Sequence, residues 1–233
     1  KMVSDWSSGC CKLITMFTIG DADISAQCMH SNNGEAIDLS GINLSDIDLT
    51  GADLRWANLA NVDLTGADLR WANLANVDLT GADLRWANLA NVDLTEANLI
   101  QANLTEANLT EANLIQADLT RAYLTNANLT RTNLIDADLR GANLTNANLT
   151  NANLTRAYLR DADLRGANLT ETDLTEARLI DADLRGANLT KANLTRTNLI
   201  DADLRGANLT ETDLTNAYQT GADLNRPPGN PGD

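Results

Sequence analysis

Residues that could bind a metal ion or act as nucleophiles lie near the amino end of this 233-residue chain. Cys10, Cys11, Cys28 and His30 are residue types that hold zinc, but adjacent cysteines rarely both reach one tetrahedral ion, and the spacing matches no zinc finger. One disulfide could form among the three cysteines, whereas their odd number suits a reducing compartment. We therefore predict ordinary thiols, no metal site and no cofactor.

Carboxylates are the other abundant reactive groups. Asp and Glu number 32 against 17 Lys and Arg, so the net charge is −15 and the pI is about 4.3. This charge argues against direct nucleic-acid binding and against docking on anionic lipid. Asp161 and Asp163 could in principle hold Ca²⁺ or Mn²⁺. We favour the alternative that these carboxylates are exposed to solvent and paired with basic side chains. Because the sequence indicates no cleft that excludes water, we predict that the protein is not an enzyme.

A strict five-residue repeat must position these groups. Leu occupies every fifth position from Leu39 to Leu214, with a small residue, usually Ala, two before it. Asp or Asn stands directly before each Leu except at Tyr123, Tyr158 and Arg178, and Tyr218 departs in the unit that follows. A period of five fits neither an α-helix nor a continuous strand. One short strand and one corner per unit would instead point Leu and Ala inward and Asp or Asn outward. The sequence therefore predicts an all-β solenoid, with core leucines that include Leu39, Leu59, Leu79, Leu99, Leu119, Leu139, Leu159, Leu179, Leu199 and Leu214.

Two longer periods compete to define one coil of this solenoid. Residues 50–64, 65–79 and 80–94 are identical 15-residue segments, three units each. A ten-residue segment that begins at Asp161 recurs at Asp181 and Asp201, a period of four units. Three units per coil would give a triangular cross-section and four a square one. The residues alone leave this choice open, because every unit presents the same core.

The A-(D/N)-L-x-x unit over residues 37–218 resembles the pentapeptide-repeat family, and its long uninterrupted run is similar to cyanobacterial members. The resemblance implies a right-handed quadrilateral parallel β-helix with four pentapeptides per coil, here about nine coils. We expect residues 1–35 to be an N-terminal cap segment with a weak in-phase start. Residues 36–224 would form the β-helix, and residues 225–233 a Pro/Gly-rich tail.

With four units per coil, residues 20 apart stack into columns along the axis. One column contains Asn88, Asn108, Asn128, Asn148, Asn168, Asn188 and Asn208. Its amides should hydrogen bond along the axis with the threonines beside them, as in other stacked β-structures. A second set stacks aspartates, which would repel one another. We expect Arg165, Arg185 and Arg205 to neutralise them.

Outward aromatic residues indicate a protein-contact surface. The predicted surface comprises Trp56, Trp71, Trp86, Arg121, Tyr123, Arg156, Tyr158 and Arg160. The tryptophans occupy corners, where they add nothing to the core, and exposed Trp favours protein contacts. Their 15-residue spacing puts them on three different sides. The tyrosines replace Asp or Asn on neighbouring sides, close to the three arginines.

These features predict a non-catalytic structural scaffold that binds another protein. No apolar stretch is long enough to span a membrane. We expect a cytoplasmic protein, or a periplasmic or thylakoid-lumen one if a signal preceded Lys1. Exposed edges at the ends of a solenoid allow either a monomer or an end-to-end dimer.

The resemblance implies an alternative function. Some family members, including fluoroquinolone-resistance proteins, are acidic rods that bind DNA gyrase in place of DNA. Residues 35–120 carry 14 acidic and 3 basic side chains, a net charge of −11. This amounts to about 0.5 charges per Å of rod, close to about 0.6 for duplex DNA. Those members, however, carry Phe at many core positions and have projecting loops, which this chain lacks.

Overall fold

The computed structural model describes residues 38–224. These residues form neither a helix nor a strand longer than one residue; each unit contributes a single bridge residue directly before its leucine. The bridges are all parallel and join residues 20 apart, from Asp38–Asn58 to Asp203–Asp223. One coil of the chain therefore takes 20 residues, or four pentapeptides. This answers the question that the competing sequence periods left open.

The four units of a coil define four faces. The first face carries Leu39, the second Leu44, the third Leu49 and the fourth Leu54, and each face continues at intervals of 20 residues. Successive faces meet at a corner. Neighbouring coils are about 4.8 Å apart, the ordinary separation of hydrogen-bonded strands.

The main-chain amides explain why single-residue bridges suffice. Around Leu109, the amide of Asn108 donates to the preceding coil (3.0 Å), and the amides of Leu109 and Glu111 donate to the following coil (2.7 and 3.0 Å). The amide of Ala112 donates to the carbonyl of Leu109 (3.0 Å) and closes a β-turn at the corner. Most amides thus find their acceptors one coil away, so each coil depends on its neighbours for stability.

Each corner contains a left-handed residue, two positions after the leucine. At this position φ lies between 56° and 65° for every non-glycine residue, including Trp56, Glu96 and Arg121. Positive φ at the third residue, with a hydrogen bond from the fourth residue to the first, is the pattern of a type II turn. Such residues carry strain of order 1 kcal/mol each. The stacked coils hold them in place by fixing the backbone on both sides.

The core consists of the leucines and the small residues two positions before them. Of the ten predicted core leucines, the eight from Leu59 to Leu199 are 0% exposed. Leu39 and Leu214 lie in the terminal described coils and are only partly buried. Thr132, Thr172 and Thr197 replace the usual alanine, and each buried hydroxyl donates to a leucine carbonyl of the preceding coil (2.7–2.8 Å). The hydroxyls of these three buried threonines are therefore satisfied.

Candidate functional site

The outward Asp or Asn of each unit has a structural task. Its side-chain oxygen accepts the amide two residues later, as Asp48 does from Thr50 and Asp118 from Thr120, both at 2.9 Å. This amide, one residue after the leucine, is the one that makes no main-chain hydrogen bond. An Asx bond of this kind explains why Asp and Asn dominate the position.

Four units depart from this rule: those of Tyr123, Tyr158, Arg178 and Tyr218. Among residues 38–224, nothing accepts a hydrogen bond from the amides at positions 125, 160, 180 and 220. Tyr158, Arg178 and Tyr218 lie in one column of the first face, with Asn198 between the last two. Tyr123 lies on the second face, around the adjoining corner.

Tyr158 and Arg178 form the centre of the first-face column. The guanidinium carbon of Arg178 lies 4.8 Å from the centroid of the Tyr158 ring, a cation–π arrangement. Arg156, at the corner before Tyr158, forms two hydrogen bonds with Asp136 (2.8 and 2.6 Å). The hydrogen bonds from Arg156 hold the pKa of Asp136 below its usual value.

Two cations in the described part of the chain stand apart from the rest. Arg121 and Arg178 have no carboxylate within 4.0 Å, whereas every other Lys and Arg of residues 38–224 has one. Both lie next to tyrosines of the exceptional units. Arg160, the third predicted arginine, is paired with Asp181 at 3.1 Å.

Apolar side chains extend the centre along the first face. Ile180 and Ile200 stack in the adjoining column and are half-buried, and Tyr218 is 63% exposed. We call Tyr158, Arg178, Ile180, Ile200 and Tyr218 the first-face strip. Of these five residues, the sequence predicts only Tyr158 to belong to the contact surface. The sequence shows that residues 178 and 218 depart from Asp or Asn. A 20-residue coil places both in the same column as Tyr158.

The three predicted tryptophans are exposed, at 54–65%. Trp56, Trp71 and Trp86 occupy three different corners, so they do not form one patch. Trp86 donates from Nε1 to Glu106 Oε2 one coil later (3.0 Å), and the guanidinium carbon of Arg85 lies 5.3 Å from its ring centroid.

The second face carries the predicted ladder of aspartates and arginines. Arg165 pairs with Asp163 in its own unit (2.6 Å) and lies 3.7 Å from Asp183 of the next coil. Arg185 and Arg205 repeat this pattern. The hydrogen bond from Arg165 lowers the pKa of Asp163. The arginine column therefore neutralises this aspartate column, as the sequence predicts.

The third face carries the predicted ladder of asparagines and threonines. Asn168 Nδ2 donates to Thr150 Oγ1 (2.9 Å) and to Asn148 Oδ1 (3.3 Å) of the preceding coil. Thr170 donates its hydroxyl to Asn168 Oδ1 within the unit (2.6 Å). These side chains satisfy one another and leave few polar groups free for a partner.

Between residues 38 and 224, no three His, Cys, Asp or Glu side chains converge on a position that could hold a metal ion. Cys10, Cys11, Cys28 and His30 fall outside these residues, as do the predicted cap segment and tail. The same stretch contains no helix long and apolar enough to cross a membrane.

Comparison with known proteins identifies the repeat. The family model described as pentapeptide repeats matches in eight copies, which include residues 37–75, 52–91, 67–105, 87–126, 152–190, 177–216 and 187–226. Among curated proteins no match was found.

Three solved structures are similar to the chain. HetL, a pentapeptide repeat protein involved in heterocyst differentiation regulation from the cyanobacterium Nostoc sp. strain PCC 7120, is 39% identical over 80% of this chain and 88% of HetL, with a TM-score of 0.38. QnrB1, a plasmid-mediated fluoroquinolone resistance protein, is 21% identical over 81% of this chain and 92% of QnrB1 (TM-score 0.36). A pentapeptide repeat protein of the Arabidopsis thaliana thylakoid lumen is 26% identical over 58% and 66% (TM-score 0.27).

Proposed function

The chain belongs to the pentapeptide-repeat family, and from this premise we propose that it is a non-catalytic scaffold that binds another protein through its first face. The frame is a right-handed β-helix of about nine coils. The contact surface consists of the first-face strip with Arg156 and Arg160 at its border. Tyr123 and Arg121 extend it around the adjoining corner.

One observation carries this proposal: Tyr158, Arg178 and Tyr218 each lack the Asx bond that the Asp and Asn units from Asp38 to Asp213 make, as Asp48 and Asp118 do. A hydrogen bond of this kind contributes about 1 kcal/mol. These side chains are exposed and add nothing to the core. A departure from a local structural rule without a structural gain is expected at functional positions. Exposed Tyr and Arg are also enriched among residues that dominate binding at protein interfaces.

The other faces support this choice by contrast. The ladders of the second and third faces consist of side chains already bonded to one another, such as Arg185 with Asp183 (2.6 Å) and Asn188 with Thr170 (3.0 Å). A partner would have to break those bonds. The strip offers a free guanidinium and exposed apolar surface.

The test is to restore the consensus residue. Tyr158→Asn/Arg178→Asn should stabilise the protein, raising the denaturant midpoint, while capture of its natural partner from the source cells is lost. Asn148→Ser, on the third face, is the matched control and should leave capture unchanged. A stabilised variant with unchanged capture would sink the proposal.

The tryptophans provide an independent comparison. Trp56→Asn/Trp71→Asn/Trp86→Asn keeps residues that tolerate positive φ at these corners. If the first face is the contact surface, this triple variant should retain the partner. Loss of the partner here, with retention in the first-face variant, would move the surface to the tryptophans.

A DNA-mimic rod that binds a DNA-processing protein such as gyrase is the second candidate. The mimic is favoured by acidic side chains in the first described coils that form no ion pair, such as Asp46, Asp48 and Asp63. The column of Asp63 continues at Asp83. The assay is gyrase supercoiling with this protein titrated in. Unchanged activity at micromolar protein would rule the mimic out.

The proposal includes a cytoplasmic location, supported by the odd number of cysteines. Cell fractionation tests it against the thylakoid lumen or the periplasm. A monomer is expected, since the contact surface lies on a side of the rod. Sedimentation would distinguish it from the end-to-end dimer.

A further inference from the structure

We propose that the first-face strip binds an extended protein segment in which a carboxylate is flanked by apolar side chains, and that Arg178 receives the carboxylate. This inference rests on the proposed function and names the chemistry of the partner.

Arg178 lacks a carboxylate although carboxylates are close in sequence. Glu176, two residues before it, pairs with Arg196 (2.9 Å), and Asp181, three residues after it, pairs with Arg160 (3.1 Å). Both nearby acids are therefore engaged by other arginines. In a chain with 32 acidic and 17 basic side chains, an arginine left without a carboxylate is an exception that calls for an external partner.

The Tyr158 ring prepares Arg178 for that partner. The guanidinium carbon lies over the ring, 4.8 Å from its centroid, and the Arg178 side chain donates no hydrogen bond within residues 38–224, so its N–H donors remain available. These donors match the two oxygens of a carboxylate in bidentate geometry. The contact also restricts the arginine rotamers before binding, which reduces the entropy lost when a carboxylate is captured.

Apolar contacts lie along the Arg178 column and the isoleucine column beside it. Ile180 is in the Arg178 unit, Ile200 lies one coil later and Tyr218 two coils after Arg178. Three intervals of about 4.8 Å separate Tyr158 from Tyr218, roughly 14 Å in all. An extended segment of about four or five residues spans this distance. Apolar side chains of such a segment would cover Ile180, Ile200 and the two tyrosine rings.

The borders of the strip determine how the segment lies. Asp161, Asp181 and Asp201 form a column at the corner with the second face and would repel a carboxylate placed there. Arg156 and Arg196 stand at the opposite corner, towards the fourth face, where each is already paired with an acid of the preceding coil, Asp136 and Glu176. The carboxylate is therefore directed to Arg178, which has no carboxylate of its own. Any basic residue of the segment would face Asp201.

A displayed library of random nine-residue peptides, selected on the immobilised full chain, tests the inference. We expect enriched peptides to carry Asp or Glu between Leu, Ile, Val or Phe. For a synthetic peptide from this set, Arg178→Asn should weaken binding at least tenfold and Arg178→Lys by less. Arg185→Asn, which removes a paired arginine of the second face, should change it less than twofold. Replacing the peptide Asp by Asn should weaken binding to the wild type but not further to Arg178→Asn.

The outcomes separate this inference from the proposed function. Enrichment of basic peptides, or equal affinity for wild type and Arg178→Asn, overturns the carboxylate assignment. If the peptides enriched in either of these cases bind Tyr158→Asn more weakly than the wild type, the first face remains a contact surface. If no peptide is enriched, or if the enriched peptides bind Tyr158→Asn and Arg178→Asn as tightly as the wild type, the extended-segment inference fails. The proposed function is then decided separately, by partner capture with Tyr158→Asn/Arg178→Asn.

Discussion

Two regions of the rod are built from the same unit but repeat with different periods. Residues 50–94 repeat every 15 residues, so the equivalent Arg55, Arg70 and Arg85 lie on the fourth, third and second faces. Each of these arginines pairs with the Asp of its own unit. The segment at residues 161–170 recurs every 20 residues, which is one coil, so its arginines stack and also approach the Asp of the next coil at 3.5–3.7 Å.

This difference separates what the core requires from what the surface contains. Every pentapeptide gives the core one leucine and one small residue, whatever the longer period. Only a period equal to the coil aligns identical outward residues into columns. The 15-residue region therefore scatters its tryptophans, and the 20-residue region builds ladders.

The largest expected effect tests whether core leucines contribute equally to stability in the two regions. Leu79 and Leu179 are both on the first face, both 0% exposed, and belong to different regions. Leu79→Ala and Leu179→Ala should each lower the free energy of unfolding by about 2–5 kcal/mol. Urea denaturation measures this. Costs that differ by more than about 2 kcal/mol would contradict a uniform core, and partly buried Leu39→Ala should cost less.

An asparagine pair should reveal the ladders. Asn168 bonds to its own unit and to the preceding coil, whereas Asn73 accepts one bond, from the amide of Ala75 (3.2 Å). We expect Asn168→Ala to cost about 1–3 kcal/mol and Asn73→Ala about 0.5–1 kcal/mol. Denaturation midpoints with unchanged m-values provide the comparison. Equal costs would mean that the bonds between coils contribute nothing.

Salt should act on the two regions in opposite directions. Screening weakens the ion pairs between coils, such as Arg196–Glu176, and relieves repulsion between stacked acids such as Asp63 and Asp83. Between about 20 and 500 mM NaCl, we expect amide exchange to quicken about twofold around residues 165–210 and to slow slightly around residues 50–94. Hydrogen-exchange mass spectrometry resolves both. A change of the same sign in both regions would refute the assignment.

The smallest effect concerns one carboxylate. The hydrogen bond from Arg165 lowers the pKa of Asp163 in the folded state. The stability that this bond contributes is therefore complete at pH values above about 3.9, the pKa of Asp in the unfolded state. It is lost as the pH falls through the lower pKa of the folded state. Arg165→Gln should raise the pKa of Asp163, which NMR titration of the carboxyl carbon measures. The stability difference from wild type should be constant near neutral pH and shrink towards pH 2. A difference that persists at pH 2 would indicate lost packing of the arginine instead.

Much of the candidate site was within reach of the sequence. The departures from Asp or Asn at Tyr123, Tyr158, Arg178 and Tyr218 are plain in the repeat, and the aromatic pair Tyr123 and Tyr158 was assigned to the surface. Arg178 was missed because it is an ordinary charged residue until its neighbour is known. That neighbour, Tyr158, lies 20 residues away, and local spacing does not identify it.

The corners illustrate a second limit. Glycine at Gly51 or Gly81 suggests positive φ, but Trp56, Glu96 and Arg121 adopt the same conformation without any such signal. Residues other than Gly and Asn disfavour it when considered alone. The hydrogen bonds of adjacent coils impose it, and those bonds exist only in the stacked structure.

The sequence by itself determined the repeating unit, the direction of each side chain and the leucine core, because these follow from alternation within five residues. It also identified the family. Only the tertiary structure decided that 20 residues close a coil, and with it which outward residues meet. The circumference of the coil depends on how four corners and their core pack together. The pairing of Tyr158 with Arg178, the isolation of the tryptophans and the neutralised ladders all follow from that circumference.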